Sequence, residues 1–344
     1  MMKTYSALCI AVCCMVMACT SPPKSESSES TVPTTFETTG SIERLLPELD
    51  LLIPAEAKIE VLASGFTWSE GPLWLKDQNA LIFSDVPKNT VYKWTEQDSI
   101  SIYLQPSGYD GDRTDKHEPG ANGLALDNEG NLILCQHGNR QLAKMATSLD
   151  APKSAFLPIT STYNGKRYNS PNDVAISKEG VYYFTDPPYG LDEWDEKELE
   201  YNGVYKMGTD GQVSLLIDSL TRPNGIALSP DERTLYVAVS DPKAAKYYAY
   251  ELDIDGNITT GKILLDVTPL VGSERRGLPD GLKVDNSGNL FATGPGGVLV
   301  ISPEGKHLGT IMTGQATANC GFNADKTVLY MTAHSYLMRI NLKP

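Results

Sequence analysis

From about residue 42 onward, apolar residues arrive in runs of four to seven. Examples are "ALIFSDV", "NLILCQ", "VYYFTD", "TLYVAVS", "NLFATG" and "VLYMTA". Gly, Asp, Asn and Pro separate the runs, as in the turns "DNEGN" (127–131), "SPDERT" (229–234) and "DNSGN" (285–289). Short runs rich in β-branched and aromatic residues, bounded by turn formers, predict strands. Almost nowhere does the apolar pattern follow the 3.6-residue period of a helix. The chain therefore reads as all-β: a sandwich, a barrel or a propeller.

A repeat decides among these. Glu70, Asn122, Asn172, Asn224, Asp280 and Asn319 each stand at the mouth of a strand, followed by a turn and a second strand. They recur 39–56 residues apart. Four-strand units at a period of about 40–50 residues predict a β-propeller, here with six blades. The last unit holds only three strands before the C-terminus, so "KIEVLAS" (58–64) is expected to supply its fourth and close the ring. In such a fold the first strand of every blade lines the central channel, and the six strand-mouth residues face one axis.

That ring offers two carboxylates and several amide carbonyls, all oxygen donors. Hard cations take such sets, so one divalent cation is expected, with Ca²⁺ the natural occupant and Mg²⁺ or Mn²⁺ the alternatives. Too few His and Cys accompany the ring to suggest zinc or copper. The competing reading is that each Asn or Asp only makes a turn before its strand. Strand direction puts the loops between second and third strands, and the inter-blade loops, on the ring side. His137, with Asn139 and Arg140 after it, lies in one such loop, His334 in another, and His117 in the inter-blade stretch 105–120. His307 falls on the far side. The insertion "DPPYGLDEWDEKELEYNG" (186–203), carrying Tyr189 and Trp194, is placed to cover the channel mouth.

Composition narrows the partners. A formal charge of −14 argues against nucleic acid or an anionic membrane surface. The start, "MMKTYSALCIAVCCMVMAC", has one Lys, an apolar run too short for a membrane span, and a small residue before Cys19, which reads as a signal peptide over 1–18. Its end, Val16-Met17-Ala18-Cys19, resembles a bacterial lipobox, which implies lipid on Cys19, export, and retention at the outer membrane facing the periplasm. Residues 19–41 are mostly Ser, Thr, Pro and Glu and are expected to form a disordered tether, leaving 42–344 for the propeller. Membrane contact would then run through the lipid alone. Cys135 and Cys320 are expected to be buried free thiols, with one disulfide as the alternative.

The stretches "SEGPLW" (69–74), "NSPNDV" (169–174) with "FTDPPYG" (184–190), "RPNGIALSPDERTLYV" (222–237) and "LPDGLKVDNSGNLF" (278–291) together resemble the senescence-marker-protein (regucalcin) and gluconolactonase family of six-bladed propellers. The resemblance implies one divalent cation at the channel end, held by Glu70, Asn224 and Asp280, with Asn172 touching metal or substrate. It also implies hydrolysis of sugar lactones. In animal members an Arg that contacts the sugar acid stands two residues before the position of Asn172; here Ser170 replaces it. Substrate contacts are therefore assigned to Asn122, Asn172 and Arg140, with Arg167 or His137 as further candidates. Asp280 is the expected general base and His137 the second choice, whose ordinary pKa suits proton transfer near neutrality. No GxSxG motif points to an acyl-enzyme. A phosphoesterase or organophosphate hydrolase on the same site, or a non-catalytic binding propeller, are the alternatives.

Overall fold

A computed structural model describes residues 1–2 and 36–344 of the chain. The signal peptide, the lipobox with Cys19 and most of the tether lie outside the described residues.

Six antiparallel sheets stand around one axis. Blade 1 is built from Ser69–Leu75, Ala80–Asp85, Thr90–Thr95 and Ser99–Leu104, in that order from the axis outward. The inner strands of the blades touch in a closed cycle, from the first through the sixth and back. Every blade is packed on both faces, which explains apolar runs that do not alternate: Leu81, Ile82 and Phe83 are all fully buried. Among the described residues there is no single core. Six apolar clusters each fill the gap between two adjacent blades. Each fully buried Leu, Ile or Phe in them contributes about 1.5–3 kcal/mol. This leaves the axis itself to polar residues.

Closure follows the expected plan and adds to it. Ile59–Ser64 pairs with Tyr336–Asn341 and becomes the fourth strand of blade 6. Two further strands lie N-terminal to it. Glu37–Thr39 adds outside Ile59–Ser64, and Ser41–Arg44 adds as a fifth strand to blade 5, against His307–Met312. Ordered strands thus begin within the stretch expected to be tether. Gly40 joins the two at φ +64, where a Cβ would stand 2.0 Å from the Met312 carbonyl oxygen, so only glycine fits.

The ring positions have a local cause. In blades 1, 2, 4 and 6 the pairing of the first two strands slips beside the ring residue: between Glu70 and Leu73, Ala121 and Leu124, Pro223 and Ile226, and Thr317 and Asn319. A bulge of this kind releases a residue from the ladder and re-aims its side chain. The glycine after the ring residue is required by crowding between blades. A Cβ on Gly71 would lie 2.3 Å from the Asn122 carbonyl oxygen, and one on Gly225 2.1 Å from that of Asp280.

Candidate functional site

The ring residues of five blades line one cavity. Glu70, Asn122, Asn172 and Asn224, all buried, and the half-buried Asp280 form its inner end, and the cavity has a volume of about 530 Å³. That is ordinary for a small-molecule site. Trp68, Glu118, Tyr189, Arg222 and Arg275 complete the walls. Asn319, the sixth ring residue, stands behind: its Nδ2 donates to Glu70 Oε2 at 3.2 Å, and its Oδ1 accepts the Cys320 N–H at 2.9 Å.

Hydroxyls from second strands hold the ring's backbone. Ser84 donates to the Asn122 carbonyl at 2.9 Å, Thr185 to that of Asn224 at 2.6 Å, and Thr293 to that of Ala318 at 2.9 Å. Each bond crosses to the next blade, so neighbouring blades help to fix the ring.

The charge at the inner end is negative. Burial drives the Glu70 carboxyl up to about 7, against hydrogen bonds from Gly71 N–H and the Asn319 amide that pull it down. Asp280 is pushed well above the usual carboxylate range, first by burial and then by the charges of Glu70, Asp173 and Glu118. Asp173 is also raised by burial; Lys283 is the main charge opposing that. The charges acting on Glu70 and Asp280 are thus those of other acids. Carboxylates so placed must either hold protons or share a cation. The Asn224 amide fits the second choice. Its Nδ2 donates to Ser240 Oγ at 3.1 Å and the amide also bonds Asp280, which leaves its carbonyl oxygen for a ligand. Glu70, Asn224 and Asp280 offer only hard oxygen donors, as Ca²⁺ or Mg²⁺ requires. Among the described residues no three His, Cys, Asp or Glu side chains gather as a metal cluster, so amide oxygens have to complete any such set.

Two expected residues do not reach the cavity. His137 is fully buried, and its Nδ1 meets Glu118 Oε2 at 3.1 Å, so the carboxylate stands between the ring nitrogen and the cavity. Arg140 turns away: at φ +59 its Nε donates to the Tyr168 carbonyl at 2.6 Å, and its charge faces the buried Asp186. It stabilises the interior of the neighbouring blade rather than binding at the channel mouth. Arg167 is exposed and does not line the cavity. Ser170 is fully buried, donating to the Pro187 carbonyl at 2.5 Å and accepting the Gly190 N–H at 2.9 Å. It therefore anchors the insertion. His117 and His334 are exposed, the latter edge-on to Trp68 at 5.6 Å.

Other residues at the site carried no signal in the sequence. Asp173 takes the place where blades 1, 2, 4 and 5 have glycine after the ring residue, and that exception to the repeat was its only mark. Glu118, Arg222 and Arg275 come from polar loops. Arg275 is held by an ion pair with Glu43 of the added N-terminal strand. The insertion and the 105–120 stretch clasp each other on the site side. Lys116, almost fully buried, lies 3.2 Å from Asp192 and 2.9 Å from Asp195. The His117 N–H donates to Asp192 at 3.0 Å, and Arg113 packs over Trp194 at 4.7 Å. Cys135 and Cys320 are buried free thiols, as expected.

Known proteins share this fold. The model of the SMP-30/Gluconolactonase/LRE-like region matches residues 68–335. A gluconolactonase of Zymomonas mobilis is 40% identical over 314 residues, covering 89% of this chain and 87% of its own. Bovine regucalcin is 25% identical, over 80% of this chain and 86% of its own. Among solved structures, a gluconolactonase from Xanthomonas campestris superposes with a TM-score of 0.77 at 29% identity, covering 90% of this chain and 96% of that one.

Proposed function

This chain belongs to the SMP-30/gluconolactonase/LRE-like family, and from that premise we propose that it hydrolyses sugar lactones with the help of one divalent cation. The observation that carries the reading is the convergence of Glu70, Asn224 and Asp280 at the inner end of a cavity of about 530 Å³. These three residues would hold the cation, most simply Ca²⁺, with Asn172 beside them. When bound, the cation polarises the lactone carbonyl and stabilises the charge that develops on its oxygen.

The chain's own residues do the rest. Glu70 is fixed by the Gly71 N–H at 3.1 Å and by Asn319, so it can act as a rigid ligand without moving protons. Asp280 is the general base: it lines the cavity with Glu70 and Asn224, placed to take a proton from attacking water. Asn122 and Asn172 present amide groups to the ester or its hydroxyls. Tyr189 and Trp68 wall the cavity and shed water from it. His137 and Arg140 have no direct part in the reaction.

Glucono-δ-lactone hydrolysis, followed by acid release with and without EDTA, tests this reading. The expected result is turnover that chelation abolishes and Ca²⁺ restores. Turnover indifferent to chelation would remove the metal, and absence of turnover on any lactone, with an aryl phosphoester cleaved instead, would replace the reaction. We further propose that the protein is exported and tethered through a lipid on Cys19, as its first residues suggest; intact-mass measurement of the mature chain checks this.

A further inference from the structure

Glu118 is the cavity-lining acid that the proposed reaction leaves unused. It shares the cavity with Asn122 and Asp280 and acts electrostatically on Asp280. Its position is not that of a loose surface side chain. On one side the clasp between Lys116 and the Asp192–Asp195 pair fixes the preceding backbone. On the other side His137 holds Oε2 at 3.1 Å.

His137 is itself immobilised. Its N–H donates to the Gly120 carbonyl at 3.1 Å, and its carbonyl accepts the Arg140 N–H at 3.1 Å. The insertion closes over it so tightly that a Cβ on Gly190 would stand 2.6 Å from the His137 Cβ. Its Nε2 is buried with no partner among the described residues. A proton there would be an unpaired buried donor, an arrangement proteins avoid. The proton therefore sits on Nδ1 and is donated to Glu118. One carboxylate oxygen is thereby occupied. The other, Oε1, takes no hydrogen bond from the described residues.

We propose that Glu118 is a specificity-determining residue that accepts a hydrogen bond from a hydroxyl of the lactone, and that His137 is the residue positioning it. The proposal rests on the lactonase reading. A carboxylate with one free oxygen can only accept, so it selects a ligand that donates. A polyhydroxylated lactone satisfies it, whereas a bare lactone leaves it desolvated beside Asp280 with nothing in return. Sites built around a substrate hydroxyl discriminate strongly against analogues that lack it.

The test compares kcat/KM for glucono-δ-lactone and for δ-valerolactone, which has no hydroxyls, in the wild type, Glu118→Gln, His137→Gln and the double variant. Calcium stoichiometry is measured alongside. The preference for the hydroxylated lactone should fall ~10- to 100-fold in Glu118→Gln, as expected for losing a hydrogen bond to a charged group. The loss should appear mainly in KM, with the bound calcium retained. His137→Gln should lower the same preference by a smaller factor, and the double variant should resemble Glu118→Gln, because the two residues act as one unit. An unchanged preference in Glu118→Gln, or an equal fall on both lactones, overturns the proposal while the lactonase reading stands. A wild type inactive on both lactones overturns the lactonase reading and this proposal with it. If His137→Gln does not fold, the Glu118→Gln ratio alone decides.

Discussion

The two ends of the propeller use the same residue types to opposite effect. On the side away from the cavity, Asp253 accepts the N–H groups of Asp255 and Asn257 at 3.0 and 2.8 Å, and Asp285 does the same for Ser287 and Asn289. Asp253 is exposed and Asp285 half-buried, and each satisfies the turn it belongs to. The bond from Asn257 holds the Asp253 carboxyl below its usual range. At the cavity end, Glu70 and Asp173 are buried and Asp280 is half-buried, and desolvation moves each the other way. Asx residues beside a strand are therefore not one kind of feature. Where the chain's own backbone answers the side chain in solvent, the residue is a turn; where burial outweighs that answer, as it does the Gly71 N–H at Glu70, it is a site.

The sharpest way to break this contrast is to neutralise one acid at each end. Asp280→Asn should lose most divalent-cation binding by calorimetry and lower kcat by about 10²–10⁴ on glucono-δ-lactone. Asp253→Asn should leave both untouched and shift Tm by about 1 °C or less. Equal effects at the two ends would erase the distinction. A second route is steric. Gly225→Ala would press a methyl group against the Asp280 carbonyl oxygen, 2.1 Å away, and should destabilise the fold by about 1–3 kcal/mol in denaturant titrations.

A third route is the pH dependence of the chelated protein. The Glu70 carboxyl lies at about 7 in the folded chain against an ordinary value of 4.5. Between these values the folded state binds the proton more tightly, so stability is complete below about 4.5 and falls as pH rises through about 7. Thermal melts in EDTA should therefore decline over this window, by an amount that saturating Ca²⁺ reduces. A chelated protein that gains stability across the window would show that Glu70 is not the desolvated group described here.

What the sequence made legible was whatever the propeller repeats. The strand mouths and the closing strand 58–64 recur in type and spacing, because six inner strands solve the same packing problem. What it hid was set by single contacts. Glu37–Thr39 read as tether and Ser41–Arg44 straddled the expected domain start at residue 42, since sheet edges are recruited through backbone hydrogen bonds that leave little mark on Thr, Ser and Glu. The direction of His137 depends on one carboxylate from a polar loop, and that of Arg140 on one carbonyl from the next blade. Loop periodicity carries no record of either. Asp173 was visible only as a missing glycine, a signal that becomes readable once the reason for the glycines is known.

The N-terminal strap has a mechanical consequence. Any pull reaching the domain through residue 36 is met first by the three-residue pairing of Glu37–Thr39 with Ile59–Val61, on the outer edge of blade 6. Beyond the Gly40 corner the load passes to the four pairs that join Ser41–Arg44 to blade 5. Tension is thus spread over the rims of two neighbouring blades, while the inner strands that carry Glu70, Asn224 and Asp280 stay out of the line of force. The strap works as a strain relief, like the clamp on a cable, between whatever holds the chain and the cavity at its centre.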